Sequence, residues 1–339
     1  MKRCTLCQKV LPDGTKAKYC SAACKQIAYR QRLSIANRNA SALHIQRETS
    51  TNDGYPALKG GAPDLRVKNP PVRYVGSKWR IAEWIIDQFP PHTCYVEPFA
   101  GGASVLIQKP RSKLEVLNDL NGDVVNFFDM LREKTADLVR AIQLTPYHEG
   151  EYIRAHEPGC TDLLERARRF YVRTRMSFGS SEAFQKSGWR YQTNTTRNLT
   201  LTDEFNRVDH LWATADRLKQ VQISCTDYKT CIKRFDTPGT LFYVDPPYPA
   251  STRYETRNYY RHEMLEDQLH VEMAEVLKSL EGMVIVSGYE CDLYRDLFTG
   301  WRMIQKPTRA NGNASVTECL WIAPAVDRAE LPLFRSVGL

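Results

Sequence analysis

TLFYVDPPYPAS, residues 240–251, runs from an apolar stretch into a carboxylate, then two prolines and a tyrosine. Its first half has the composition of a strand buried on both faces. Proline has no amide hydrogen to give a ladder, so Pro246 and Pro247 end that strand at Asp245. Taken alone, the prolines are ordinary punctuation. Outward from this stretch, strand-like runs alternate with amphipathic helical ones from residue 72 onward. That alternation predicts an α/β sheet covered on both faces. The candidate strands are TCYVE (93–97), LEVLN (114–118), VQISCT (221–226), TLFYVD (240–245), MVIVSG (283–288), WRMIQK (301–306) and ECLWIA (318–323). Helices are expected after Lys78, Asn121 and Glu263, and no internal repeat is visible.

The first strand leads into EPFAGGASV, where Gly101 and Gly102 allow a sharp turn and close approach to a ligand before a helix starts. The second ends in LNDLN, with Asp119 at its carboxyl end. An acid roughly twenty residues beyond a glycine loop, on the neighbouring strand, can accept both hydroxyls of a ribose. Together they describe a nucleoside crevice. A full G-x-G-x-x-G is absent, which argues against a dinucleotide oxidoreductase. Upstream, VRYVGSKWRIAEWI offers Tyr74, Gly76 and Lys78 ahead of a helix, a cation suited to the carboxylate of an amino-acid-like cofactor.

RYVGSK, YVEPFAGGASV, LNDLN, TDY and FYVDPPY occur in that order. The chain therefore resembles the Dam-like DNA adenine-N6 methyltransferases of the alpha class, over roughly residues 72–325. The resemblance implies a Rossmann-like, S-adenosylmethionine-dependent sheet with an inserted, mostly helical target-recognition domain. It assigns Asp245 as acceptor for one adenine N6–H and the Pro246 carbonyl as acceptor for the other, with Pro247 stiffening the turn. Two acceptors pull a delocalised amine toward tetrahedral geometry and free its lone pair for attack. Tyr248 would stack on the base after flipping. Tyr74 takes the aromatic position of the upstream motif and Lys78 meets the methionine part. Glu97, Phe99, Ala100 and Gly101 form the loop beneath the cofactor, Asp119 binds ribose, and Asp227 of CTDY accepts from the cofactor's adenine. Ser77 stands where many relatives have glycine. Methylation of RNA adenine is a neighbouring alternative, and a zinc-dependent DNA-binding protein with an inactive methylase fold a more distant one. Intact Asp-Pro-Pro-Tyr and Asp119 count against the latter.

Charge is unevenly spread. Residues 1–47 hold ten Lys or Arg and one acid, while the remaining 292 hold 37 basic and 38 acidic side chains. A basic terminus on a neutral body suggests a polyanion-binding appendage. The same segment places Cys4, Cys7, Cys20 and Cys24 as C-x2-C and C-x3-C around a Pro-Asp-Gly turn, a spacing that suits one tetrahedral Zn²⁺. The stretch resembles a treble-clef-like zinc finger whose stability would come mainly from the metal. The expected plan is a zinc module (1–47), a linker (48–71), a methyltransferase domain (72–325) and a short tail (326–339). The target-recognition region is placed at 130–215, where residues 161–200 carry eight basic and three acidic side chains. Arginine among aromatics suits phosphates and base edges. Double-stranded DNA is the expected partner and a monomer the favoured state. With no apolar stretch near the ~20 residues of a membrane span and no leader-like N-terminus, a cytoplasmic place in a bacterium or phage-infected cell is expected. The six scattered cysteines read as reduced core residues.

Overall fold

The computed structural model describes residues 67–178, 188–193, 199–253, 258–309 and 315–329. Cys4, Cys7, Cys20 and Cys24 and the proposed zinc module lie outside the described residues, as do most of the linker and the tail. Where the linker was expected to end, Val67 packs against the core and the carbonyls of Pro70 and Pro71 accept from Arg175.

All seven expected strands form, in one sheet: β1 (Cys94–Glu97), β2 (Leu114–Asn118), β3 (Val221–Ser224), β4 (Thr240–Val244), β5 (Met283–Gly288), β6 (Arg302–Arg309) and β7 (Ser315–Ile322). The spatial order is β3-β2-β1-β4-β5-β7-β6. The first five run parallel; β7 is antiparallel to β5, and β6 to β7. The chain steps outward from β1 to β3, then returns to β4 on the other side of β1. Strand order therefore reverses between β1 and β4, where the loops leaving the carboxyl ends diverge and open a crevice. β1 and β4 are wholly buried, as continuous apolar strands covered on both faces must be.

Helices cover the sheet: α1 (Ala82–Ile86), α2 (Ser104–Gln108), α3 (Gly122–Glu133), α4 (Thr135–Gln143), α5 (Glu149–Ala155), α6 (Leu163–Met176), α7 (Leu201–Asn206), α8 (Asp209–Leu218), α9 (Tyr228–Phe235), α10 (Asp267–Lys278), α11 (Asp292–Leu297) and α12 (Pro324–Ala329). Asn121 caps α3 by accepting from the Asp123 amide, and Asp162 caps α6 by accepting from that of Glu165. Helices α4 to α8 occupy the described part of residues 130–215. Their Leu138, Ile142, Phe170, Tyr171 and Leu211 share one core with Leu117, Leu241 and Ile285 of the sheet.

The arginines of α6, part of the stretch expected to suit phosphates and base edges, are paired within the fold. Arg166 and Arg173 pair with Asp123 at 2.6 and 2.9 Å, and Arg168 with Glu151 and Glu165 at 3.0 and 2.7 Å. Arg169 pairs with Glu165 at 2.8 Å. A helix that covers a sheet lays its arginine stems along apolar surface and finds acids at the rim for their heads. The hairpin also runs further than the expected 301–306 and 318–323: the pairing extends to Arg309 opposite Ser315, where β6 alternates exposed and half-buried positions. Of the six body cysteines, Cys94, Cys231 and Cys319 are buried, but Cys225 is exposed.

Candidate active site

A cleft of about 270 Å³ opens at the reversal between β1 and β4. Four strand-end loops, the turn from Tyr74 to Lys78 and the segment from Tyr260 to Met264 line it. Of the twelve sequence-predicted catalytic and cofactor residues, all line the cleft except Pro246 and Tyr248.

Its floor is the loop after β1. Gly101 and Ala103 both have positive φ, 47° and 51°, which folds the chain tightly before α2. A Cβ on Gly101 would lie 3.0 Å from the Tyr74 ring, so glycine is required both by the backbone and by this close approach. Glu97 is buried; its Oε1 accepts from the Tyr95 hydroxyl at 2.8 Å and the Leu106 amide at 2.6 Å. Burial pushes its carboxyl up to about 7 against those two donors. Glu97 thus satisfies the first turn of α2 as well as facing the cleft.

Asp119 is held by backbone: Oδ2 accepts from the Gly101 amide and Oδ1 from the Asn121 amide, each at 2.8 Å. Burial still holds its carboxyl above the usual range. Asp227 is exposed, caps α9 through the Lys229 amide at 2.9 Å and lines the cleft beside Tyr228 and Phe99, whose rings are 5.1 Å apart. Leu120, 46% exposed, faces the same space.

At the other end, the buried Lys78 ammonium meets Asp245 Oδ2 at 2.9 Å and donates to the Gly76 carbonyl at 2.8 Å. Burial alone would lower the lysine's pKa, but the Asp245 and Glu318 carboxylates outweigh it and hold the ammonium charged. The Asp245 carboxyl is raised by burial, with Lys78 opposing. Pro246 is buried. The Tyr248 ring stands edge-on to Tyr289, 4.9 Å between centroids, with the Lys78 ammonium 5.0 Å from it. Lys78 is therefore bound to the carboxyl end of β4 at Asp245, where the sequence reading had placed it only at the cofactor's methionine part.

Three further residues escaped the sequence reading. Asn118, fully buried, ties the loops after β1, β2 and β3 together through five hydrogen bonds. It stands inside the quoted LNDLN, and a buried amide at the last position of a parallel strand was the available signal. Glu318, on β7, accepts from the Tyr248 hydroxyl and from Ser287. Its signal was a lone acid entering an apolar strand. Tyr260 stands over Gly76 and beside Tyr74, 6.3 Å between rings, on a segment that Arg253–Glu263 (2.6 Å) and Arg261–Asp123 (3.3 Å) pin down. No pattern marked it. Among the described residues no group of His, Cys, Asp and Glu could hold a metal ion, and no helix is long and apolar enough to cross a membrane.

A mostly parallel sheet with such a cleft at its reversal, ending a strand in Asp-Pro-Pro-Tyr, defines a methyltransferase of the α/β class. The chain belongs to the D12 class N6 adenine-specific DNA methyltransferase family, which it matches over residues 74–311. It is similar to the DNA adenine methylase of Escherichia coli strain K12, 24% identical over 245 residues that cover 67% of this chain and 83% of the relative. The DNA adenine methylase of Salmonella typhi is 25% identical over 240 residues, with the same coverage. That of Vibrio cholerae O395 is 23% identical over 240 residues, 68% of this chain and 84% of the relative. The chain is an S-adenosylmethionine-dependent enzyme that methylates adenine N6 in DNA.

Proposed function

We propose that the cleft divides this reaction between its two ends, with the cofactor on the loops after β1 to β3 and the target adenine at the end of β4. The observation that carries the reading is the Lys78–Asp245 pair at 2.9 Å, which joins the cofactor end to Asp-Pro-Pro-Tyr. The donor set suits S-adenosylmethionine. Asp119, fixed by two amides, keeps lone pairs free for ribose hydroxyls. Phe99 and Leu120 offer apolar faces for an adenine ring, and Asp227 an acceptor at its rim. Lys78 can turn toward a carboxylate. When bound, the cofactor supplies an electrophilic methyl group on a sulfonium. The protein supplies two acceptors for the target amine, the Asp245 carboxylate and the Pro246 carbonyl, and Tyr248 as the stacking surface for a flipped base. The carbonyl sits between two prolines, so it needs little reorganisation when the amine arrives.

Incubating the purified protein with double-stranded DNA and S-adenosylmethionine, then sequencing modified bases, tests the assignment. N6-methyladenine should appear in DNA. Its appearance only in RNA would favour the neighbouring substrate class. Asp119→Ala should weaken S-adenosylmethionine binding by on the order of 1–3 kcal/mol, the loss of charge-assisted bonds to ribose. Unchanged affinity by calorimetry would refute the ribose assignment.

The N-terminal module is assigned a second task. Cys4, Cys7, Cys20 and Cys24 would supply four thiolates to one structural Zn²⁺, and the basic residues around them would add phosphate contacts. Deleting residues 1–47 should leave cofactor binding intact, remove about one zinc per chain and flatten the salt dependence of DNA affinity. If the truncated protein kept the full salt slope, the module would not touch DNA. Target choice should survive the deletion, since base reading is placed in residues 130–215, and the enzyme is assigned as a monomer.

A further inference from the structure

Glu318 is 3% exposed, in a strand whose next four residues are apolar or cysteine and wholly buried. Packing alone would favour an apolar side chain there, since an acid taken from water needs partners. The antiparallel pairing that sets Ser287 opposite Leu320 and Gly288 opposite Cys319 brings Glu318 beside the end of β5, next to the Asp-Pro-Pro-Tyr turn. Its Oε1 accepts from the Tyr248 hydroxyl and, at 2.7 Å, from the Ser287 hydroxyl. The same oxygen lies 3.8 Å from the Lys78 ammonium, which also holds Asp245. Burial raises the Glu318 carboxyl, and Lys78 pulls it back.

Tyr248 follows two prolines on a loop, and a ring there swings about χ1 unless its far end is tied. Tyr289 meets the ring edge-on, which limits one direction only. We infer that Glu318 is a positioning residue for methyl transfer, holding the Tyr248 ring by its hydroxyl in the place where it receives the flipped adenine. The inference rests on Tyr248 being the stacking surface. The hydroxyl oxygen lies on the axis of ring rotation, so this bond fixes where the ring stands about χ1, while the Tyr289 contact bears on its turning about χ2. A phenol donating to a buried carboxylate makes a bond of the stronger, charge-assisted kind.

A double-mutant cycle on the full-length enzyme separates this role from mere support of the strand. With cofactor and DNA saturating, Tyr248→Phe should lower kcat about tenfold in the parent enzyme, the cost of one charge-assisted bond. In a Glu318→Leu background, which offers no acceptor, the same change should cost less than about twofold. Glu318→Gln keeps an acceptor oxygen and should recover most of the loss seen with leucine. An equal effect of Tyr248→Phe in both backgrounds would overturn the inference. If Glu318→Leu fails to fold, Tyr248→Phe alone decides: unchanged kcat, and unchanged fluorescence of 2-aminopurine placed at the target adenine, would overturn it. The stacking reading is judged apart, by Tyr248→Ala. If that change left the 2-aminopurine signal as in the parent enzyme, stacking itself would fail, whatever the cycle gave.

Discussion

Asp245→Ala is expected to lower the rate of methyl transfer by about 10²–10³-fold, the range for removing one preorganised polar partner of a transition state. On the proposed assignment the carboxylate accepts from the adenine amine as its nitrogen turns tetrahedral, so the loss falls mainly on the chemical step. The fold should survive. Asp245 is 21% exposed on its side chain, and Lys78 keeps the Gly76 carbonyl at 2.8 Å and Glu318 at 3.8 Å when its partner is gone. S-adenosylmethionine affinity should not fall, because Lys78 is then free to meet the methionine carboxylate. Single-turnover methylation of a duplex, with cofactor affinity by calorimetry alongside, checks both halves. Near-normal transfer would remove Asp245 from the chemistry. A large loss of cofactor affinity with normal transfer at saturation would move it to the binding site.

What the sequence made legible follows from where side chains answer to local rules. Thr240–Val244 and Cys94–Glu97 are short, mostly apolar runs with breakers at their ends, and runs of that length and composition suit a strand buried on both faces. Most of the motif residues gather because they stand at or just beyond the carboxyl ends of β1 to β4, which the topology brings to one crevice, and the turn holding Tyr74 and Lys78 joins them from ahead of α1. Contacts between distant segments were not legible. Nothing local says that Glu318, some seventy residues beyond Tyr248, closes on its hydroxyl. The outer half of the β6–β7 hairpin was also hidden, since solvent-facing strands carry no apolar run to mark their length. The arginines of α6 read as suited to phosphates and base edges, because sequence shows charge but not the acids opposite. Asp123 and Glu151, which compensate three of them, lie on other helices.

Asn118→Asp should be the most damaging substitution away from the reacting atoms, although it changes one group for another of equal size. The Asn118 Nδ2 donates to the Pro98 carbonyl at 2.9 Å and the Thr226 carbonyl at 3.0 Å. Its Oδ1 accepts from the Ser224 hydroxyl at 2.8 Å, the Thr226 hydroxyl at 3.0 Å and the Thr226 amide at 3.1 Å. One side chain thus joins the loop carrying Phe99 to Gly101, the strand leading to Asp119 and the turn leading to Asp227. A carboxylate keeps the second set of bonds but turns an acceptor on two carbonyls that have lost their donor. Each such buried group costs about 1–3 kcal/mol, and more beside a charge. The β1 and β3 loops should then part from β2, and cofactor affinity should fall by on the order of tenfold or more, with a Tm lower by several degrees. Burial raises the pKa of the introduced carboxyl, and its protonated form can donate one bond again. Affinity should therefore recover in part as pH falls through that pKa, the reverse of what acid does to a site built on ionised carboxylates. Calorimetric titration between neutral and mildly acidic pH reads this directly. A lower Tm with unchanged affinity at every pH would make Asn118 a brace of the sheet alone, and the three loops would then hold the cofactor without it.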